Sequence, residues 1–395
     1  MKPLSRKLAS AVVIAVALTG ATAVRADDDG FKIQRNAYVV NKLVSDIAIK
    51  GMNPPDPVLR NAWGVAFTPS NSPFWIADNA SGCSTLYNGT GAKQSRQVKI
   101  PLPDNSVPST ACQPASSQTN PPPPTPAAPT GLVWNPTTST TTGFLVPGTN
   151  IPASFIFATE DGTISAWAGT IPDPTQAVIA VDNSGSGAVY KGLVFGVNVH
   201  GVFLFATNFN AGTIDVFAPN GSAGFRPATN QEIEGDFTDP KIPAGYAPFG
   251  IENIDGNLFV SYAQQNAEKH DDVAGPGHGF VDVFDTDGHF LRRFASRGPL
   301  NSPWGMTRAS FAFGRFSGDI LIGNFGNGKI NAFDSQGRFL DELDRPNGKP
   351  LVTRGLWKLI LGGGASSSSD TLYFTAGPND ETNGLFGTIT PVSKK

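Results

Sequence analysis

The chain has 395 residues, a formal net charge of −3, 15% charged residues, 44 glycines and 33 prolines. It contains no block of five or more Lys/Arg, which excludes a surface that tracks nucleic-acid phosphates. Its length exceeds the usual single core, a limit that a ring of repeated units escapes.

At the amino terminus Lys2, Arg6 and Lys7 precede an apolar run from Leu8 to Leu18, followed by the small-residue sites Ala21-Thr22-Ala23 and Val24-Arg25-Ala26. This is the pattern of an export signal over residues 1–26, with an apolar run too short to span a bilayer. Its removal deletes four basic residues, Lys2, Arg6, Lys7 and Arg25, and no acidic one, so the formal charge falls from −3 to about −7. The expectation is an exported protein, periplasmic or secreted, monomeric and without stable membrane insertion, whose residues 27–395 form one domain.

A segment of period-two alternation, Ala37 to Val44, comes next and has no partner of its own. A unit then recurs six times between Asn61 and Pro391. Each copy opens on a glycine: Gly64, Gly131, Gly192, Gly250, Gly305 and Gly355. Each continues into a second strand that ends in a small side chain, as in Phe74–Ala77, Phe155–Ala158, Phe203–Ala206, Leu258–Ser261, Ile320–Gly323 and Leu372–Thr375. Third strands such as Thr213–Phe217, Val281–Phe284 and Ile330–Phe333 alternate and end in an aromatic. Turns of the Asp-x-x-Gly kind at Asp285–Gly288 and Asp334–Gly337 lead to outer strands at Phe290–Phe294 and Arg338–Leu343.

These are four-stranded antiparallel blades, and the fold class is an all-β six-bladed β-propeller. The last copy holds only three strands, Leu356–Leu361, Thr371–Thr375 and Leu385–Thr390. The segment Ala37 to Val44 is expected to supply the fourth and close the ring, removing an open edge.

Long insertions fall at Pro101–Pro129, Asp236–Pro248 and Gln264–Gly279. In a propeller these loops open on one face, the face on which binding residues are expected. The first insertion is Pro-rich, with Pro121 to Pro124 in a row, and reads as a surface flap. Cys112 lies in it and Cys83 lies after the second strand of blade one, so a structural disulfide is expected.

The same face carries oxygen ligands just after the second strands: Asp78 and Asn79, Glu160 and Asp161, Asn208 and Asn210, Asn324 and Asn327, and Asn379, Asp380 and Glu381. Turned toward the axis they would form an oxygen-rich ring for calcium or another divalent cation; the alternative is ordinary turn chemistry. The longest polar loop adds His270, Asp271, Asp272 and His278, residue types that bind divalent ions or exchange protons. No Gly-x-Ser-x-Gly elbow, Walker loop, His-Glu-x-x-His or dinucleotide fingerprint occurs.

The repeat resembles NHL-type six-bladed propellers. More closely, the segment Asp271 to Asp285, together with Gly314–Asp319 and Tyr373–Asp380, resembles an uncharacterised family of exported bacterial propellers. That resemblance covers nearly the whole chain after the leader and implies an exported propeller, and it brings no established activity with it. Three functions stay open: a binding or scaffold protein holding a protein or glycan partner on the long-loop face; a metal-dependent hydrolase such as a lactonase with an axial calcium; and a structural protein whose cation stabilises the ring.

Overall fold

The computed structural model describes residues 35–115 and 124–392. The export signal expected at residues 1–26 and part of the Pro-rich insertion lie outside the described residues. Among the described residues no helix is long and apolar enough to cross a membrane.

Six separate four-stranded antiparallel sheets make the six blades. Blade one is Ala62–Ala66, Phe74–Asp78, Cys83–Tyr87 and Lys93–Lys99; blade two is Pro129–Trp134, Phe155–Thr159, Thr163–Trp167 and Val178–Asp182. Blade three is Tyr190–Asn198, Gly201–Asn208, Thr213–Pro219 and Phe225–Pro227; blade four is Tyr246–Ile254, Asn257–Gln264, Phe280–Phe284 and Phe290–Ser296. Blade five is Pro303–Arg308, Ile320–Asn324, Ile330–Phe333 and Phe339–Glu342. Blade six takes Leu356–Leu361, Leu372–Ala376 and Leu385–Pro391, and its outer strand is Tyr38–Ser45 from the amino-terminal side. That strand pairs antiparallel with Leu385–Pro391, from Tyr38 opposite Pro391 to Ser45 opposite Leu385. Its first residue also reaches blade five, where the Tyr38 hydroxyl donates to the Phe313 carbonyl at 3.0 Å.

Each first strand carries a register shift near its start, between Ala62 and Val65 in blade one and between Leu356 and Leu359 in blade six. Inside these bulges sit the pairs Trp63-Gly64, Thr130-Gly131, Lys191-Gly192, Phe249-Gly250, Trp304-Gly305 and Trp357-Lys358. A Cβ added to Gly64, Gly250 or Gly305 would stand 2.2–2.3 Å from a backbone carbonyl of the next blade. Glycine is therefore required here by close backbone approach.

The sixth copy departs from the sequence reading. Gly355 lies in the turn before the strand, at φ 67°, and the bulge position of the ring glycines is held by Lys358. Its ammonium pairs with Glu252 of blade four.

The small residue opposite each bulge has a bonding role in three blades, and in blade three the register gives that place to Thr207, one residue beyond the expected Ala206. Thr207 accepts the Gly192 N–H at 2.7 Å and donates to the Phe249 carbonyl at 2.9 Å. Ser261 accepts the Gly250 N–H at 2.9 Å and donates to Pro303 at 2.6 Å. Thr375 accepts the Lys358 N–H at 3.2 Å and donates to the Trp63 carbonyl, clamping blade six to blade one. Ala77, Ala158 and Gly323 hold the equivalent place in the other blades and are small only.

The axis is filled with aromatic side chains. Trp63 stacks on Trp357 at 3.6 Å, Phe325 stacks on Trp357 at 3.9 Å, and Trp304 meets Trp357 edge-on at 5.8 Å.

Cys83 and Cys112 form a disulfide with Cα atoms 4.9 Å apart. Cys83 opens the third strand of blade one rather than lying in the loop before it. The bond ties the insertion to its own blade, and Pro126 and Ala127 press on Gly82 beside it.

Two stability predictions follow from these contacts. Thr375→Val orphans the Lys358 N–H and the Trp63 carbonyl and should destabilise the ring by about 1–3 kcal/mol, read from chemical denaturation. Removing the disulfide in a Cys83→Ser/Cys112→Ser variant opens a crosslink spanning 29 residues and should cost about 3–4 kcal/mol by loop entropy, with an unchanged circular dichroism spectrum.

Candidate functional site

Of the six residues that open the bulges, Trp63, Phe249, Trp304 and Trp357 pack together at the axis, and Thr130 bonds backbone carbonyls. The sixth is Lys191, only 1% exposed. Its ammonium lies 5.3 Å from the Trp63 ring centroid and 5.8 Å from that of Phe209. A lysine buried there needs an anion, and Glu160, from the loop after the second strand of blade two, supplies it. Asp271, from the long loop of blade four, stands 3.6 Å from the same nitrogen.

A hydrogen-bonded chain runs around the axis from this pair. Glu160 Oε2 accepts from Asn79 Nδ2 of blade one at 2.8 Å, and Asn79 Oδ1 accepts from Asn61 at 3.1 Å. Asn61 also donates to Glu381 of blade six at 2.6 Å and accepts the Trp357 indole N–H at 2.9 Å. On the other side His270 Nδ1 bonds Asp271 Oδ1 at 2.9 Å. Glu160, His270 and Asp271 each place one ligand atom within 4.8 Å of the others.

Glu381 reaches this chain through an unusual backbone. Asn379, Asp380 and Glu381 all have positive φ, at 55°, 50° and 62°, a conformation that Asn and Asp tolerate but that disfavours Glu381 by about 1–2 kcal/mol. Such strain is typical of functional sites.

Burial sets the charge states. It pushes the Glu381 carboxyl up to about 7, the nearby Glu160 charge adding to the effect. It also raises the carboxyls of Asp272 and Asp161. The hydrogen bond with Asp271 raises His270 above the usual imidazole range and in turn lowers Asp271.

The oxygen ring expected from the sequence is not what the structure builds. Asn79, Glu160 and Asp271 converge with His270, while most other candidates serve local structure. Asp78 is buried inside blade one, and burial holds its carboxyl well above the usual range with the Asp56 charge adding to it. Asp161 accepts the Ala128 N–H at 2.8 Å and anchors the end of the Pro-rich insertion. Asn208 bonds the Val189 N–H at 3.3 Å and Asp215 at 3.0 Å. Asn210 turns to the Glu268 carbonyl at 3.5 Å. Asn324 is consumed by Pro299 and Asn301, at 2.8 and 3.1 Å, and Asn379 by Asn383 at 2.6 Å.

Asp380 is exposed. His278 folds back on the Val273 carbonyl at 2.8 Å. Asp272 is half-buried behind Asp271, with Oδ2 unpaired among the described residues.

Lys191 and Asn61 were not expected at the site. The signal for Lys191 was its place, a charged residue ahead of an opening glycine, shared in the sequence only with Arg354 ahead of Gly355.

Because the folded-state pKa of Glu381 lies above the unfolded value near 4.5, the folded protein holds a proton that the unfolded chain releases. The stability from this group is full below about pH 4.5 and is lost as the pH rises through about 7. Glu381→Gln should flatten that part of a melting-temperature profile taken from pH 4 to 8.

No protein-family model matches the chain. Two proteins of Acanthamoeba polyphaga mimivirus are similar over most of it. Uncharacterized protein L690 is 31% identical over 357 residues, 89% of this chain and 85% of that protein. Uncharacterized protein R648 is 30% identical over 359 residues, 89% of this chain and 80% of that protein. These relatives are viral, which corrects the expectation of a bacterial family. Among solved structures, virginiamycin B lyase from Staphylococcus aureus is similar at a TM-score of 0.48 and 14% identity, covering 90% of this chain and 100% of that one. A gluconolactonase from Xanthomonas campestris is similar at a TM-score of 0.45 and 13% identity, covering 85% of this chain and 88% of that one. The identity and coverage of the two viral proteins place the chain in one family with L690 and R648 of the mimivirus.

Proposed function

We propose that the axial cluster is a divalent-cation site and that the protein uses it to hydrolyse a small ester or lactone entering from the long-loop face. The observation that carries this reading is the approach of Glu160, His270 and Asp271, from two different blades, to within 4.8 Å of one another. An imidazole with two carboxylates suits zinc or manganese. Calcium, which takes six to eight oxygens, fits less well once Asp161, Asn210 and Asn324 are engaged elsewhere.

When bound, the ion would act as a Lewis acid toward an acyl oxygen. The chain's own groups support such chemistry. Lys191, set against the Trp63 and Phe209 rings, pairs with Glu160 and so positions that carboxylate at the cluster. Glu381, with a pKa of about 7, can take or give a proton near neutral pH. The Cys83–Cys112 bond supports an exported protein in an oxidising, periplasmic or extracellular setting.

The binding or scaffold reading would use the same face for a protein or glycan partner. Among the described residues, the exposed aromatics Phe290, Phe311 and Phe339 stand at strand ends or loops of the opposite face. Aromatic platforms are what such docking ordinarily uses.

Plasma mass spectrometry of the purified protein is expected to find about one zinc or manganese per chain. A chelator should lower the melting temperature, and the metal-loaded protein should turn over a panel of lactones and aryl esters. Glu160→Gln and Asp271→Asn should weaken metal binding more than about tenfold, with Asn210→Ala unchanged. Equal metal affinity in all of these variants would overturn the assignment.

A further inference from the structure

A groove of about 890 Å³ runs between the closing strand Tyr38–Ser45 and the linker from blade five to blade six, and Pro378, Asn379 and Asn383 of the loop that carries Glu381 also line it. Tyr38, Val39, Val40 and Lys42 all line it, with Arg345 and Arg354 on the opposite wall. Successive strand residues point to opposite faces of a sheet. A groove touched by Tyr38, Val39 and Val40 at once therefore follows the edge of the strand.

That edge is vacant in one short window. The strand pairs only with Leu385–Pro391 on its inner side. On the outer side the Tyr38 N–H donates to the Asp344 carbonyl at 2.7 Å, and the Leu43 and Ser45 carbonyls accept from Asn53 and Asp56 at 3.0 and 2.9 Å. The register shift between Lys42 and Val44 accounts for the change of phase. Counting in twos from Tyr38, the outward backbone groups between these bonds belong to Val40 and Lys42. They have no backbone partner outside the closing sheet among the described residues.

The side chains around the window are those of an interface. Val39, Ile47 and Ile49 are 39%, 48% and 36% exposed and all line the groove, a concentration of exposed apolar surface that marks binding sites. Lys42, Arg345 and Arg354 have no carboxylate within 4.0 Å among the described residues.

We propose that this groove binds an extended peptide segment of a partner protein. The segment adds as a strand to the backbone at Val40 and Lys42, the mode by which open sheet edges capture peptides. Its apolar side chains meet Ile47 and Ile49, and its acidic side chains meet Lys42, Arg345 and Arg354. The proposal does not rest on the cation reading of the axial cluster, although Asn379, two residues before Glu381, lines the groove.

The test begins with a displayed library of random short peptides panned on the full-length protein. Enriched sequences should alternate apolar residues with Asp or Glu, and a labelled winner should bind in fluorescence anisotropy. Val40→Pro removes the outward N–H while leaving the inner ladder intact, a substitution that edge strands tolerate, and should weaken binding at least about tenfold. The double variant Arg345→Glu/Arg354→Glu, in exposed side chains, should do the same without altering the fold. The proposal is overturned if no acidic-apolar peptides are enriched, or if both variants bind the winner as the parent does. A concentration-dependent dimer that Val40→Pro abolishes would also overturn it, assigning the edge to a second copy.

Discussion

The structure depends on the contact of one first strand's backbone with the next around the axis. With a Cβ on Gly64, Gly250 or Gly305 standing 2.2–2.3 Å from a neighbouring carbonyl, the ring closes at this radius only if those positions carry no side chain. The bulge that brings each glycine inward turns the preceding residue onto the axis. Ring geometry and site composition are thus set by the same dipeptide in each blade. Four copies use it to build an apolar plug from Trp63, Phe249, Trp304 and Trp357, the blade-two copy places Thr130 on backbone carbonyls, and the blade-three copy uses it to place a lysine.

That lysine organises the polar layer above the plug. An ammonium held among indole and phenyl rings is stabilised by their π faces but still requires an anion, and Glu160 meets that need. The amides of Asn79 and Asn61 extend the network to Glu381, so loops from separate blades are held in one arrangement. Buried networks of this kind are rigid when their members are satisfied and costly when they are not. The left-handed run at Asn379–Glu381 is tolerated because Asn61 and the Trp357 indole fix its end point.

Much of the ring was readable from the chain because the repeat is periodic in side-chain character. The blade count, the four strands in each and the closing strand all follow from alternation and turn residues. The small residue at the end of the second strand was legible as a packing need, whereas its hydroxyl clamp was not, since Thr207, Ser261 and Thr375 bond to backbone in the next blade. At the sixth glycine the sequence misled: Gly355 resembles the other opening glycines, yet register, visible only in the pairing, gives that place to Lys358.

The site was less legible for a related reason. Asn and Asp after a strand are equally good turn formers and ligands, and only three-dimensional partners separate Asn79 from Asn208. His270 and Asp271 stood out by density, but the residue they gather around, Lys191, lies within a strand that otherwise reads as core.

The pairing of Tyr38 with Pro391 also has a kinetic meaning. The outer strand of blade six is made before any complete blade, and its partner is made only after blades one to five. Until Leu385–Pro391 has been made, blades one to five can form locally, but the circle stays open and the first-made strand has nowhere to dock. Contacts between strands so far apart in sequence are slow to form, so closure should be the late event of folding, and without Leu385–Pro391 both Tyr38–Ser45 and Leu372–Ala376 would lose the strand that lies between them.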